Sequence, residues 1–132
     1  MINQSIKLIG GDKMINLNYV FHPWCCAYFC LKRIIGKEKV RKINYMSLYE
    51  VKEELIKFDF YCMCFRVNSI DDIKCECITL VKNKNSLHYV IVTNVKENHV
   101  YIYNPLFLFV KKVRKSKFIK KWSKICLFYK KI

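Results

Sequence analysis

Hydrophobic and polar residues recur with a helical period near the start of the chain and with an alternating period in its second half. The first helix is predicted between Trp24 and Gly36, where apolar residues recur at helical spacing. Pro23 precedes this segment and Gly36 ends it, and proline and glycine commonly flank helices in this order. The pattern predicts a mostly buried helix with Cys26 in its first turn. Its apolar face consists of Ala27, Cys30, Leu31, Ile34 and Ile35.

A second helix is predicted to begin at Ser47. Ser47 and Glu50 have the spacing of a capping box, in which each side chain bonds the backbone N–H of the other residue. The apolar stripe of this helix consists of Leu48, Val51, Leu55 and Phe58.

Alternating apolar residues then predict β-strands within residues 58–67, 75–81, 88–95, 100–103, 106–113 and 124–130. The first of these has apolar residues on both faces from Phe60 to Phe65, which predicts burial on both sides. Ser116 is predicted to cap a short helix that runs through Phe118 to Trp122. Helices followed by antiparallel strands favour an α+β fold, in which the helix carrying Cys26 packs on an antiparallel sheet.

The length of 132 residues is enough for one domain with a buried core. Residues 1–14 are predicted to be an N-terminal extension, and residues 15–132 to be a single domain. The sequence at Met14 repeats the three residues that begin at Met1. A start at Met14 is therefore left open.

The net charge of +15 favours an anionic partner, such as a nucleic acid, an anionic membrane surface or an acidic peptide. Residues 111–132 contain ten basic residues and no acidic one, with aromatic residues between them. Because most charge runs are solvated surface, nucleic acid is not the expected partner.

The chain has no apolar run long enough to span a bilayer and no recognisable signal peptide. Eight cysteines in such a chain are expected to be free, catalytic or metal-bound rather than disulfide-linked. We therefore expect a cytoplasmic protein.

A zinc site is one alternative use of the cysteines. Cys62 and Cys64 share one face of a predicted strand, and Cys75 and Cys77 share one face of the next. Adjacent strands would gather four thiolates. A spacer of one residue is unusual for zinc, however, and we predict neither a metal nor another cofactor.

Three other residues form a candidate catalytic group. Cys26 lies at a helix start, where backbone N–H groups and the helix dipole favour a thiolate. His88 begins a central strand, and Asn104 ends the strand that pairs with it across a turn near Lys96. This hairpin places His88 and Asn104 side by side, so that the amide can accept from the imidazole and fix its tautomer. Such a Cys-His-Asn arrangement is typical of thiol acyl transfer.

These residues resemble the bacteriocin-processing cysteine peptidases, which cleave after double-glycine leaders and have a papain-like fold. They form the N-terminal domain of peptidase-containing ABC transporters. Residues 26–31 resemble the family's Cys-Gly-x-x-Cys-Leu motif, residues 88–92 its histidine strand, and residues 100–105 its strand ending in Asp-Pro. The resemblance covers about residues 15–130. It implies a nucleophile at Cys26, a base at His88 and an orienting amide at Asn104, with the Cys26 backbone N–H facing the oxyanion.

The chain also departs from the family pattern. Val20 stands where the family has an oxyanion-binding glutamine, and Ala27 and Asn104 replace a glycine and an aspartate. Valine has no hydrogen-bond donor, and the loss of one such donor raises a barrier by about 3 kcal/mol. The side chain of Asn18 is a substitute if the segment is shifted. Without fused transporter helices, the chain is expected to be a stand-alone domain.

Two functions follow from this resemblance. The first is a cysteine peptidase that cuts a leader peptide after Gly-Gly or a similar small-residue site. Gly10-Gly11 of the chain itself would then be a possible self-cleavage site. The second is a weakly active or inactive domain that binds a leader peptide or transporter. In both, the expected partners are a peptide and an ABC transporter or the inner face of an anionic membrane.

Overall fold

The computed structural model describes residues 26–36, 47–83, 86–105 and 109–132. The predicted extension 1–14 and the start of the predicted domain at residue 15 lie outside the described residues. So do Asn18 and Val20, as well as the first residues of the predicted strand 106–113.

The helices and strands follow one another in the order that the hydrophobic pattern predicts. The helices are α1 (Cys26–Ile35), α2 (Leu48–Lys57), a 3₁₀ turn (Ile70–Asp72) and α3 (Lys115–Ile119). The strands are β1 (Phe60–Arg66), β2 (Cys77–Asn83), β3 (Ser86–Lys96), β4 (His99–Asn104), β5 (Phe109–Arg114) and β6 (Trp122–Lys131). None of the described helices is both long enough and apolar enough to cross a bilayer.

The six strands form one sheet in the order β1-β6-β2-β3-β4-β5. Every neighbouring pair is antiparallel. The last strand of the chain therefore lies between β1 and β2, and β2 and β3 occupy the centre. Helix α1 packs on β3, and α2 packs on β1 and β6. The predicted α+β fold, with helices on an antiparallel sheet, is confirmed.

The helix side of the sheet, the face under α1 and α2, is an aliphatic core. Leu31 of α1 and Leu55 of α2 are fully buried against Leu80 and Ile91 of the central strands. Both halves of the capping box at the start of α2 are present, because Ser47 and Glu50 bond each other's backbone N–H groups. The box fixes the first turn of α2, and Leu48, Val51 and Leu55 of the predicted apolar stripe are buried.

The opposite side of the sheet is covered by the 3₁₀ turn and α3. Its core includes Ile70, Val90, Ile102 and Phe118. Trp122, which begins β6, is buried there and donates from Nε1 to Thr79 Oγ1 at 2.9 Å. Each face of the sheet therefore has its own core.

Two local predictions are wrong. Strand β1 is buried on one face only: Cys62 is buried, whereas Tyr61, Met63 and Phe65 are exposed. The reason is that β1 is an edge strand with helices on one side, and apolar alternation alone does not show which face is covered.

The second error concerns α3, which Ser116 does not cap. The N-cap is Arg114, without a side-chain cap bond, and Ser116 lies inside the helix. Trp122 belongs to β6 instead of the helix, because its backbone pairs with Val81. Strand β2 begins at Cys77, two residues later than predicted, and β3 begins at Ser86, two residues earlier.

Candidate active site

Cys26 is the first residue of α1 and is partly buried. Its position is fixed by the next turn of the helix, where Ala27, Cys30 and Leu31 are buried against the sheet. The predicted place of Cys26, in the first turn of a mostly buried helix, is therefore observed. A sulfur at this end of a helix lies near the positive end of the helix dipole.

The sulfur of Cys26 contacts the backbone of β3. The N–H of Tyr89 donates to Cys26 Sγ at 3.3 Å. A hydrogen bond donated to sulfur favours the thiolate over the thiol, because it stabilises negative charge. Since Tyr89 directly follows His88, this bond holds the sulfur within one residue of the histidine.

His88 lies near the start of β3, on the opposite side of the sheet from the helices. Its Cα pairs with that of Val81 on β2, while the next residue, Tyr89, is part of the helix-side core. Successive side chains of a strand point to opposite faces, which explains this division. His88 as a whole is buried, with 8% of the residue's surface exposed.

Asn104 ends β4 and holds the imidazole. The two atoms His88 Nε2 and Asn104 Oδ1 are 3.0 Å apart. A carbonyl oxygen only accepts, so Nε2–H is the donor, and Nδ1 carries the lone pair of the neutral ring. The hairpin spacing of sixteen residues therefore brings the predicted pair together, as the sequence indicated.

Two bonds, from the Tyr89 N–H to Cys26 Sγ and from His88 Nε2–H to Asn104 Oδ1, thus link α1 to β3 and β3 to β4. A sulfur that accepts an N–H bond and a histidine with a fixed tautomer are attached to neighbouring residues of β3, and these are the parts of a candidate nucleophile and a candidate general base. The Tyr89 backbone N–H is a member of this site that the sequence analysis missed. No residue-type signal marks it, because every residue except proline has such a donor.

The thiols of Cys62 and Cys64 on β1 and of Cys77 on β2 lie in a different environment from that of Cys26. Burial raises the pKa of the Cys62 thiol and that of the Cys64 thiol to about 11. A hydrogen bond with the Cys126 thiol, together with burial, raises the pKa of Cys77 well above its ordinary value. These thiols remain protonated at neutral pH, which makes them poor nucleophiles.

The four-thiolate arrangement that a zinc site requires is not formed. Strand β6 lies between β1 and β2, so the two cysteine pairs do not occupy adjacent strands. In addition, Cys62 belongs to the helix-side core and Cys77 to the core of the opposite side. Within the ranges that the structure describes, no group of three or more His, Cys, Asp or Glu residues has the geometry of a metal site.

Solved structures share this fold at low sequence identity. The peptidase domain of Streptococcus mutans ComA, in complex with a small-molecule inhibitor, is 20% identical with a TM-score of 0.65, over 83% of this chain and 94% of that one. The peptidase domain of Streptococcus ComA, a bi-functional ABC transporter, is 19% identical with a TM-score of 0.60, over 78% and 77%.

A third similar structure is a double-glycine-motif protease from an AMS/PCAT transporter, solved with its leader peptide. It is 18% identical with a TM-score of 0.60, over 86% of this chain and 88% of that one. These likenesses confirm the papain-like fold. No curated protein matches the chain.

A sequence model identifies the family more directly. It matches residues 43–132, which include His88 and Asn104, whereas Cys26 lies before the matched segment. The match spans more than half of the chain, and the predicted resemblance to leader-processing cysteine peptidases is confirmed at the level of the family. The chain belongs to the Peptidase C39 family.

Proposed function

We propose that this chain is a cysteine peptidase that cleaves a leader peptide after Gly-Gly or a similar small-residue site. One observation carries the proposal: the His88–Asn104 bond of 3.0 Å fixes the base within one residue of the backbone N–H that bonds the Cys26 sulfur. Membership in the Peptidase C39 family supports the same reaction.

Cys26 is the nucleophile of the proposed reaction, and His88 transfers its protons. Nδ1 of His88 takes the thiol proton of Cys26, and Sγ attacks the carbonyl carbon of the scissile bond. The carbonyl oxygen becomes an oxyanion that faces the Cys26 backbone N–H. The imidazolium returns its proton to the leaving nitrogen, which departs as an amine and leaves a thioester on Cys26. Water, deprotonated by His88, hydrolyses the thioester and restores the thiol.

Asn104 is a positioning residue in this scheme. Its Oδ1 keeps the proton on Nε2, so that Nδ1 remains the basic nitrogen. Asn104→Leu is therefore expected to lower kcat by about 10- to 100-fold with little change in KM. Asn104→Asp keeps an acceptor and is expected to restore most of the rate, an outcome that a purely structural role of Asn104 would not produce.

The proposed partners are a peptide substrate and an ABC transporter. One similar structure is the peptidase domain of the ABC transporter ComA, and another is a protease from an AMS/PCAT transporter that was solved with the leader peptide. We infer the same kind of partners for this chain from the shared family.

A second candidate function is peptide binding without cleavage. Val20 motivates it, because the resemblance places an oxyanion-binding glutamine at that position, and valine has no donor. The binding domain would keep the same fold and would bind a leader peptide or a transporter without forming a thioester.

Labelling with iodoacetamide at pH 7 separates the two functions. In the active peptidase, Cys26 reacts faster than the exposed thiol of Cys75, and His88→Ala slows the labelling of Cys26 by about tenfold or more because the base is lost. Peptide mapping by mass spectrometry measures each site, and Cys75 is the internal control.

Cleavage of a synthetic leader peptide ending in Gly-Gly is measured with the same variants. We expect the wild type and Cys75→Ser to cut it, and Cys26→Ala to lose at least about 10⁴-fold in rate. If Cys26 labels at the same rate with and without His88 and no peptide is cut, the peptidase proposal is overturned and the binding function is favoured.

A further inference from the structure

A cavity of about 480 Å³ lies beside Asn104 on the side of the sheet away from α1 and α2. Strands β2 to β5 and helix α3 surround it. Asn104 both lines this cavity and holds the His88 imidazole, and Val81, another lining residue, pairs with His88 across the sheet. The cavity therefore shares Asn104 with the candidate active site.

The lining of this cavity combines an apolar floor with a basic rim. The apolar residues are Val81, Val90, Ile102, Val113 and Phe118. The basic residues are Lys111, Lys112, Arg114, Lys117 and Lys121. No carboxylate is among the described residues that line it. Five cations around one recess produce a positive potential that attracts anionic groups.

The direction of the proposed reaction decides which part of a peptide would reach this recess. The leaving nitrogen takes its proton from the imidazolium of His88, so it must lie beside that ring. The residues that follow the scissile bond therefore leave the site on the side of the His88 ring, and Asn104, which bonds that ring, lines the cavity. This step rests on the proposed function.

We propose that the cavity binds the residues that directly follow the scissile bond and selects peptides with carboxylates next to an apolar side chain at those positions. The apolar side chain occupies the floor, and the carboxylates pair with the rim of Lys111, Lys112, Arg114, Lys117 and Lys121. A recess between strands and a helix accommodates individual side chains, whereas a bilayer surface would contact only the rim. The chemistry therefore favours an acidic peptide over an anionic membrane.

Three synthetic peptides test this specificity. They share one leader half ending in Gly-Gly and continue as Glu-Leu-Glu, Gln-Leu-Gln or Lys-Leu-Lys. We expect kcat/KM for the Glu peptide to exceed that for the Gln peptide by about tenfold, with the Lys peptide slowest. The preference should shrink in 0.5 M salt because exposed charge pairs are screened (Debye length about 4 Å).

Charge reversal at the rim provides the matched variant. Lys117→Glu combined with Lys121→Glu is expected to abolish the preference for the Glu peptide. Lys96→Glu combined with Lys130→Glu changes the net charge equally, at exposed positions that do not line the cavity, and should preserve the preference. If both double variants lose the preference for the Glu peptide equally, the preference arises from net charge alone and the proposal is overturned.

Binding measurements separate this proposal from the proposed function. Fluorescence anisotropy of labelled product peptides beginning Glu-Leu-Glu or Gln-Leu-Gln is measured with Cys26→Ser. If the wild type cuts all three substrates equally, the cavity proposal fails while the peptidase function holds. If no substrate is cut, the binding of the products decides. Selective binding of the Glu product that is lost in the Lys117/Lys121 double variant but kept in the Lys96/Lys130 double variant still supports the cavity proposal. Equal binding of the Glu and Gln products overturns it.

Binding of the basic rim to an anionic membrane is the remaining alternative. Vesicles of phosphatidylglycerol are mixed with the same two double variants and sedimented. If the Lys117/Lys121 variant loses binding to vesicles but keeps its preference for the Glu peptide, the rim contacts lipid and the peptide proposal is wrong.

Discussion

Each side of the sheet has a fully buried core and a recess, and the two recesses differ in their position relative to the candidate active site. On the helix side, Leu31, Leu80 and Ile91 are fully buried between the helices and the sheet. On the opposite side, Ile102 and Phe118 border a cavity of about 480 Å³. The helix side has a recess of about 810 Å³ as well, which is lined by Ile34, Ile35, Phe60 and Tyr129. Its buried core holds α1 and therefore the sulfur of Cys26, whereas the recess of the opposite side lies beside Asn104. Packing fixes the candidate nucleophile on one side, and open space adjoins the candidate positioning residue on the other.

The two sides also differ in polarity. The core of the opposite side contains a buried hydroxyl, Thr79, which accepts from Trp122 Nε1 at 2.9 Å and donates to the Ile125 carbonyl at 2.6 Å. Such a bond network orients Trp122 and the start of β6. Hydrogen bonds therefore supply part of the order on this side that aliphatic packing supplies on the other.

Strand β3 belongs to both sides. Tyr89 contributes its ring to the helix-side core and its N–H to the Cys26 sulfur, while His88 bonds Asn104 on the other face. The candidate active site lies at this boundary. Paired substitutions, one in the core on the helix side of the sheet and one in the core on the opposite side, therefore compare the two.

Truncation of isoleucine is expected to have the largest effect on stability and to differ between the two sides. Ile91→Ala leaves a hole in a filled core and should lower the free energy of unfolding by about 4 kcal/mol. Ile102→Ala enlarges an existing cavity, where fewer contacts are lost, and should cost about 2 kcal/mol. Urea unfolding measures both, and equal losses would contradict the difference in packing.

Removal of the buried hydroxyl of Thr79 is expected to lower the free energy of unfolding by less than Ile91→Ala does. Thr79→Val keeps the shape but leaves Trp122 Nε1 and the Ile125 carbonyl without this partner, at about 2 kcal/mol. Thr93→Val is the matched control, because its hydroxyl donates to the Tyr101 carbonyl in a partly buried position and should matter less. If the two substitutions have the same effect on urea unfolding, the network of Thr79 does not stabilise that core.

Alkaline pH is expected to weaken the helix side. Burial raises the pKa of Cys62 from about 9 to about 11, so the unfolded chain releases its proton first. The contribution of this thiol is complete below pH 9 and is lost as the pH rises to 11, by about 1 kcal/mol at pH 10. Thermal unfolding at pH 8 and pH 10 measures the loss, which should be smaller in Cys62→Ala. An unchanged loss in that variant would assign the effect to other groups.

A change on the exposed face of β1 is expected to have the smallest effect. Tyr61 is 60% exposed, and Tyr61→Lys should change the free energy of unfolding by no more than about 0.5 kcal/mol. A loss above about 2 kcal/mol would show that this face is covered, as the apolar alternation had predicted.

Local patterns in the sequence predicted much of the fold. The capping box at Ser47 marked the start of α2, and the spacing from His88 to Asn104 across one hairpin predicted their pairing. These predictions succeeded because capping bonds and hairpin register depend on residues close together in the chain. The order of strands was not predictable in this way, since β6 reaches its place between β1 and β2 only through contacts between distant segments.

The same distinction applies to the candidate site. The sequence by itself determined the candidate side chains for the proposed chemistry: a cysteine at a helix start, and a histidine and an asparagine on paired strands. Only the tertiary structure decided that the Tyr89 N–H donates to the sulfur and that residues from four strands and α3 line a basic cavity beside Asn104. A charge run in the sequence does not reveal which of its members surround a recess, because that depends on how the strands and helix pack in space.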